Sequence, residues 1–257
     1  MAVNDAAHAV MAAMYAGRTM VFGHRGASAY APMNTLSAFE LAAEQGADGI
    51  ELDAHRTRDG HVVVVHDYTV DKTTDGSGRV AEMTLEQVRE LDAGSWFGDA
   101  FRGERIPTLD EIFETVGRRL LVNVEIKSET AETDGVEQAI ANVIARHAMQ
   151  RRVIVSSFNP LALVRFRKIM SDVPAALLYD AEMGEPLPLL QGAGLMVEAI
   201  HPHHVLLDAG LMVLARTRGW WVNTWTVNDP ARAVVLRDLG VDIIMTDNPD
   251  TVRAALG

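Results

Sequence analysis

Phe22-Gly23-His24-Arg25-Gly26, Pro32-Met33-Asn34-Thr35, Gly49-Ile50-Glu51-Leu52-Asp53 and Val62-Val63-Val64-Val65-His66-Asp67 all fall within one stretch of the chain, from Phe22 to Asp67. In that stretch histidines and acids sit at or near the ends of apolar, strand-like runs. A parallel α/β fold puts its chemistry at strand ends of this kind. In a strand, residues two apart point the same way, so Glu51 and Asp53 share a face. His55 lies on that face by the same alternation. The run Val62–Val65 is β-branched throughout and suits a strand buried on both faces.

Strand-like and helix-like segments alternate from here to the C-terminus. Thr19–Gly23 and Ala47–Asp53 read as strands, with helical spacing over Thr35–Glu44 between them. Residues 68–107 break the rhythm with Thr73-Thr74-Asp75-Gly76-Ser77-Gly78, a helix-like piece from Leu85 to Leu91, and Trp96-Phe97 between glycines. They read as an insertion, of the sort that more often walls or lids a site than spaces it. Afterwards Leu120–Ile126, Val153–Ser157, Ala175–Leu178, Ala199–Ile200, Trp221–Thr226 and Ile243–Thr246 supply strands, with helices at Leu109–Val116, Val136–His147, Leu161–Ile169, Ala209–Arg218, Pro230–Leu239 and Thr251–Leu256. Eight strands alternating with helices predict a (β/α)₈ barrel over residues 1–257 as one domain, with a small insertion after the second strand. A doubly wound sheet is the rival, but no G-x-G-x-x-G or Walker loop supports nucleotide binding.

Composition bounds the function. The chain has 257 residues, 48% of them hydrophobic, which is enough for a large core. It has no cysteine, so disulfides, zinc–thiolate sites and a cysteine nucleophile are excluded; a cytoplasmic location fits. A net charge of −12 argues against nucleic acid or an anionic membrane as partner. An anionic substrate would therefore need a local positive centre. Asp5 interrupts the Ala- and Met-rich residues 1–18 and no Lys or Arg precedes them, so a short helix capping the fold is expected rather than a signal peptide. No apolar run approaches the roughly 20 residues that span a bilayer.

Glu125 and Lys127 repeat the two-residue spacing at the end of the strand Leu120–Ile126. Three carboxylates converging from neighbouring strand ends, Glu51, Asp53 and Glu125, form an oxygen-rich site suited to a hard cation, Mg²⁺ or Ca²⁺. His24 and His66 each end an apolar run and would stand at one barrel mouth, where two imidazoles can serve as general base and general acid. Arg25 and Lys127 would supply positive charge for a phosphate, and Gly26 lets backbone approach a ligand closely. His201, His203 and His204 surround Pro202 without a nearby carboxylate and read as surface or pocket-edge residues. His8, His61 and His147 carry no functional signal. Trp220 and Trp221 read as strand-start packing, one in and one out.

These motifs, with Asp59-Gly60, Thr74-Asp75-Gly76-Ser77-Gly78, Leu91-Asp92-Ala93-Gly94-Ser95-Trp96-Phe97, Arg105-Ile106-Pro107-Thr108-Leu109, Trp225-Thr226-Val227-Asn228 and Thr246-Asp247, resemble the signature of the glycerophosphodiester phosphodiesterases. The likeness runs from about Met20 onward, and its specificity lies in the ordered set. It implies a barrel with an inserted subdomain after the second strand. It implies hydrolysis of small-molecule glycerophosphodiesters, the deacylated phospholipids, to glycerol 3-phosphate and an alcohol with a divalent metal. By position, Glu51, Asp53 and Glu125 match the metal ligands and His24 and His66 the acid–base pair. Arg25 and Lys127 match phosphate contacts, and Trp225 an aromatic wall of the substrate pocket.

One position departs from the family pattern, which usually has glutamate where this chain has Met33. A thioether neither accepts a charged hydrogen bond nor binds a hard cation. Two other readings follow: a phosphodiester-binding protein without turnover, and a phospholipase D-like enzyme of the same superfamily acting on intact lipids. The missing cysteines and the acidic charge count against the latter.

Overall fold

A computed structural model describes residues 5–15 and 17–257. Eight parallel strands close into a barrel: β1 (Met20–His24), β2 (Gly49–Arg56), β4 (Leu121–Ile126), β5 (Val153–Ser157), β6 (Ala175–Tyr179), β7 (Ala199–Pro202), β8 (Trp221–Thr224) and β9 (Ile243–Thr246). Closure comes from β1, which pairs with β2 on one side and β9 on the other. Helices lie between successive strands, giving the (β/α)₈ architecture with a small insertion after the second barrel strand. No helix among the described residues is long and apolar enough to cross a membrane.

One further strand lies outside the barrel. Val62–Val64, here β3, is buried on both faces as expected, Val62 and Val64 on one side and Val63 on the other. It turns back at Asp59-Gly60 and pairs antiparallel with the end of β2, Ala54 opposite Val64 and Arg56 opposite Val62. A β-branched run carries no direction, so its composition is the same for a stave and for a hairpin arm.

The helices start where local chemistry favours starting. Thr35 caps α2 (Leu36–Glu44) by accepting from Ala38 N. Thr84 with Gln87 and Thr108 with Glu111 form reciprocal capping boxes on α3 (Leu85–Arg89) and α4 (Leu109–Thr115). The remaining crossovers are α5 (Val136–Arg146), α6 (Pro160–Ile169), α7 (Pro186–Ala193), α8 (Ala209–Arg218), α9 (Pro230–Asp238) and α10 (Pro249–Leu256). α7 adds a helix to those expected from the sequence. Pro186 occupies its first turn, where no amide donor is needed.

Alternation along the strands separates two cores. Val21, Ile50, Leu52, Val122, Val124, Val153, Val155 and Ile244 face outward and pack under the helices. Met20, Phe22, Ile154, Ala176, Ala199, Ile243 and Met245 face inward and meet Met11 and Met14 of the N-terminal helix α1 (Asp5–Met14). That helix is the predicted cap; residues 1–4 and 16 of the predicted segment lie outside the described residues. Gly49 makes room here, since a Cβ on it would stand 2.5 Å from the Phe22 ring. Trp220 packs in the outer core and Trp221 in the inner one, stacked on Tyr15 at 5.5 Å.

The insertion between β3 and α4 has its own small core. Val70, Val80, Val88, Ala93 and Ile106 pack on Val63 and Val65. It is a packed body continuous with β3, so it shields apolar surface as well as bordering the mouth.

Candidate active site at the barrel mouth

Register brings the three acids together. Asp53 stands opposite Glu125 across the β2–β4 pair, and His24 opposite Glu51 across β1–β2. One carboxylate oxygen from each of Glu51, Asp53 and Glu125 lies within 4.8 Å of the other two. They are only 4%, 1% and 7% exposed, which rules out ordinary solvated strand ends. At an effective dielectric of about 20, like charges 4.8 Å apart repel by at least about 3 kcal/mol. Burial, reinforced by Asp53 and Glu125, pushes the Glu51 carboxyl well above the usual range. Burial also takes Glu125 up to about 7, with Lys127 opposing and Asp53 adding to the rise. Asp53 goes the other way: burial alone would raise it, but the charges of Lys127, Arg25 and His66 hold it far below the carboxylate range.

Two cations grip Asp53 from either side. Lys127 Nζ is 3.3 Å from Asp53 Oδ1 and 2.9 Å from Glu125 Oε1. Arg25 Nε is 3.2 Å from Asp53 Oδ2, within ion-pair reach though not aligned as a hydrogen bond. Asn34 Nδ2 donates to the same oxygen at 2.8 Å. Arg25 and Asn34 are both non-glycine residues in the left-handed region, with φ of 57° and 62°. Such conformations cost free energy and cluster at functional sites. Here Asn34 N bonds to Arg25 O and Arg25 N to Glu51 O, which ties both turns to the acids. Gly26 has a packing reason of its own. A Cβ there would lie 2.6 Å from the backbone of Ala38, so the glycine lets α2 pack against the loop.

The histidines flank this cluster. His24 Nε2 is 4.0 Å from Glu51 Oε2, and its Nδ1 is 2.7 Å from Asp247 Oδ1. His66 Nδ1 is 2.6 Å from Asp67 Oδ1. Burial lowers the His66 pKa, Asp53 opposing it and Arg25 and Lys127 assisting, so the ring favours its neutral form. His55 is buried against Tyr68, with Nε2 3.3 Å from the His66 carbonyl oxygen. Burial drops its pKa to about 4, so it buttresses the His66 loop as a neutral group.

Trp225 follows β8, donates from Nε1 to His201 O at 2.9 Å, and lies edge-on to Phe158 and His203. Of the three late histidines, His201 is wholly buried in the barrel and bonded to Asn223, whereas His203 and His204 are partly exposed at the rim. The only metal-competent cluster among the described residues is that of Glu51, Asp53 and Glu125. Two features escaped sequence reasoning. Asp247 is 223 residues from His24 and showed only as part of a motif. Met33 Sδ stands 3.5 Å from Arg25 Nη1, so the departure falls against a cation of the site.

Comparison with known proteins identifies a family. Residues 24–251 match the model of the glycerophosphoryl diester phosphodiesterase family. A glycerophosphodiester phosphodiesterase of Caldanaerobacter subterraneus subsp. tengcongensis is 42% identical over 238 residues, covering 91% of this chain and 96% of the relative. One from Bacillus subtilis is 32% identical over 255 residues, covering 91% and 85%. An Oleispira antarctica phosphodiesterase solved with the product sn-glycerol-3-phosphate superposes with a TM-score of 0.82 at 29% identity, over 94% of this chain and 98% of that one. A glycerophosphodiester phosphodiesterase from Agrobacterium tumefaciens gives 0.79 at 29% identity, over 92% and 99%. The chain belongs to the glycerophosphoryl diester phosphodiesterase family.

Proposed function

We propose that this chain hydrolyses a glycerophosphodiester at the barrel mouth, with Glu51, Asp53 and Glu125 holding one divalent cation, Mg²⁺ or Ca²⁺. Arg25 and Lys127 meet the phosphate, His24 and His66 exchange the protons, and Trp225 walls the pocket. The observation that carries the reading is the meeting of three buried carboxylates beside two histidines and two cations. The donor set fits the ion: all the ligands are hard oxygens, and two of the acids are pushed up in pKa, first by burial and then by their acidic neighbours.

When bound, a divalent cation would neutralise charge on the phosphoryl oxygens. Arg25 and Lys127 add donors to those oxygens beside buried side chains, where such contacts are strongest. One histidine takes the proton of the attacking hydroxyl and the other returns one to the departing alcohol. Overall one water is consumed: the phosphorus–oxygen bond to the alcohol breaks, a phosphorus–oxygen bond to the water oxygen takes its place, and glycerol 3-phosphate remains. The 68–107 segment borders this mouth as part of one barrel domain, in a cytoplasmic protein acting on a small molecule.

Release of glycerol 3-phosphate from glycerophosphocholine tests the reading. It should proceed, stop with EDTA, and return with Mg²⁺ or Ca²⁺. Release indifferent to EDTA removes the cation from the proposal. No release from any glycerophosphodiester leaves the binding-protein reading.

A further inference from the structure

We propose that Asp247 is the positioning residue of His24: it fixes the tautomer and aim of the ring, so that Nε2 is the atom that exchanges protons. The inference rests on the reaction proposed above. Asp247 follows β9, on the far side of β1 from the carboxylate cluster. Its Oδ1 lies 2.7 Å from His24 Nδ1 and 2.9 Å from Ser28 Oγ, and its Oδ2 accepts from Asn228 Nδ2 at 2.6 Å.

Asn228 is itself locked. Its Oδ1 accepts from Asp247 N at 2.9 Å and from Thr246 Oγ1 at 3.1 Å. Loops after β1, β8 and β9 therefore converge on one carboxylate. Burial would raise its pKa, but the hydrogen bond and charge of His24, with Asn228 and Ser28, bring it down to about 2. An ionised carboxylate has no proton to give, so the proton in the 2.7 Å contact belongs to His24 Nδ1. Thr226 Oγ1, at 3.4 Å, is a weaker second neighbour of the same nitrogen. The neutral ring is left with a bare Nε2, the atom 4.0 Å from Glu51 Oε2.

His66 has no equivalent clamp. Its carboxylate neighbour, Asp67, is the next residue in the chain and makes no other side-chain hydrogen bond among the described residues. The two histidines therefore differ in how firmly they are held.

Asp247→Asn keeps the size of the side chain but not its donor–acceptor pattern. Asn228 Nδ2 demands an acceptor, so the new amide turns its oxygen there and its NH₂ towards His24. Nδ1 must then be the acceptor, and the ring takes the wrong tautomer. The test has two arms. In the kinetic arm, kcat and kcat/KM of Asp247→Asn should fall together by roughly 10- to 100-fold, with KM held, and Asp67→Asn should fall less. In the spectroscopic arm, ¹⁵N shifts of ring-labelled histidine should show wild-type His24 protonated on Nδ1, and the variant protonated on Nε2.

A wild-type ring protonated on Nε2, or an Asp247→Asn enzyme with unchanged kcat, overturns the proposal. Should the variant fail to fold, the wild-type spectrum alone decides. Should the wild-type protein release no glycerol 3-phosphate, the proposed function fails while the ring assignment still tests Asp247.

Discussion

At the floor of the barrel Met11 and Met14 fill the space beneath Met20, Phe22 and Met245; at its mouth Glu51, Asp53 and Glu125 meet. Between the two the chain advances only a few residues along each strand, on the same inward-facing positions. At the floor Tyr15, Asn223 and His201 form a chain of polar groups, which leaves only the second ring nitrogen of His201 without a partner in that chain. Tyr15 donates from its hydroxyl to Asn223 Oδ1 at 2.7 Å, and Asn223 Nδ2 donates to His201 Nε2 at 2.7 Å. Burial takes His201 down to about 3, so it stays uncharged. At the mouth acids and cations are crowded together, and Arg25 and Lys127 do not balance three ionised acids. Neutral hydrogen bonds add about 1 kcal/mol each to stability, whereas crowded buried charge of one sign costs several. The floor holds the fold, and the mouth spends part of that stability on a site made for a cation and an anion.

The largest expected effect lies at the mouth. His24→Ala and His66→Ala should each lower kcat by roughly 10²–10⁴-fold, while the melting temperature changes little. Steady-state kinetics alongside calorimetry checks both. A loss below about tenfold in both variants would remove the histidines from proton transfer.

The floor should answer in the opposite way. Met11 is wholly buried in the inner core, so Met11→Ala should cost about 2–5 kcal/mol of stability in denaturant titration. The kcat of the protein that remains folded should stay as it was. A variant that melts normally but turns over slowly would break the division between the two ends.

Met33 gives the smallest change and the finest distinction. A carboxylate in its place would pair with Arg25 and add negative charge beside an anionic substrate. Met33→Glu should raise KM through that repulsion, and raise kcat by restoring the contact that the family pattern carries. If both constants hold, residue 33 is packing only. If the native chain is inactive and the revertant turns over, the protein is a binder that lost catalysis.

Trimming residues 76–100 should cost stability as well as change the border of the mouth. Val80, Val88 and Ala93 cover Val63 and Val65, so the cut would expose apolar surface on β3.

Much of this molecule is written in local periodicity. The pairing of Glu51 with Asp53, the boundaries of β5 and β9, and the helix starts at Thr35, Thr84 and Thr108 depend on residues within a few positions of one another. Their physics is therefore present in any short window of the chain. Periodicity reports which face is buried, but not what covers it or which way a strand runs. That is why Val62–Val64 could turn back on β2, and why Pro186 could open a helix rather than end one. Only closure of β1 against β9 brings Asp247 to His24, and only the left-handed turn at Asn34 sets Met33 against Arg25. Contacts between residues so far apart are decided by the packing of whole elements, which no stretch of sequence contains.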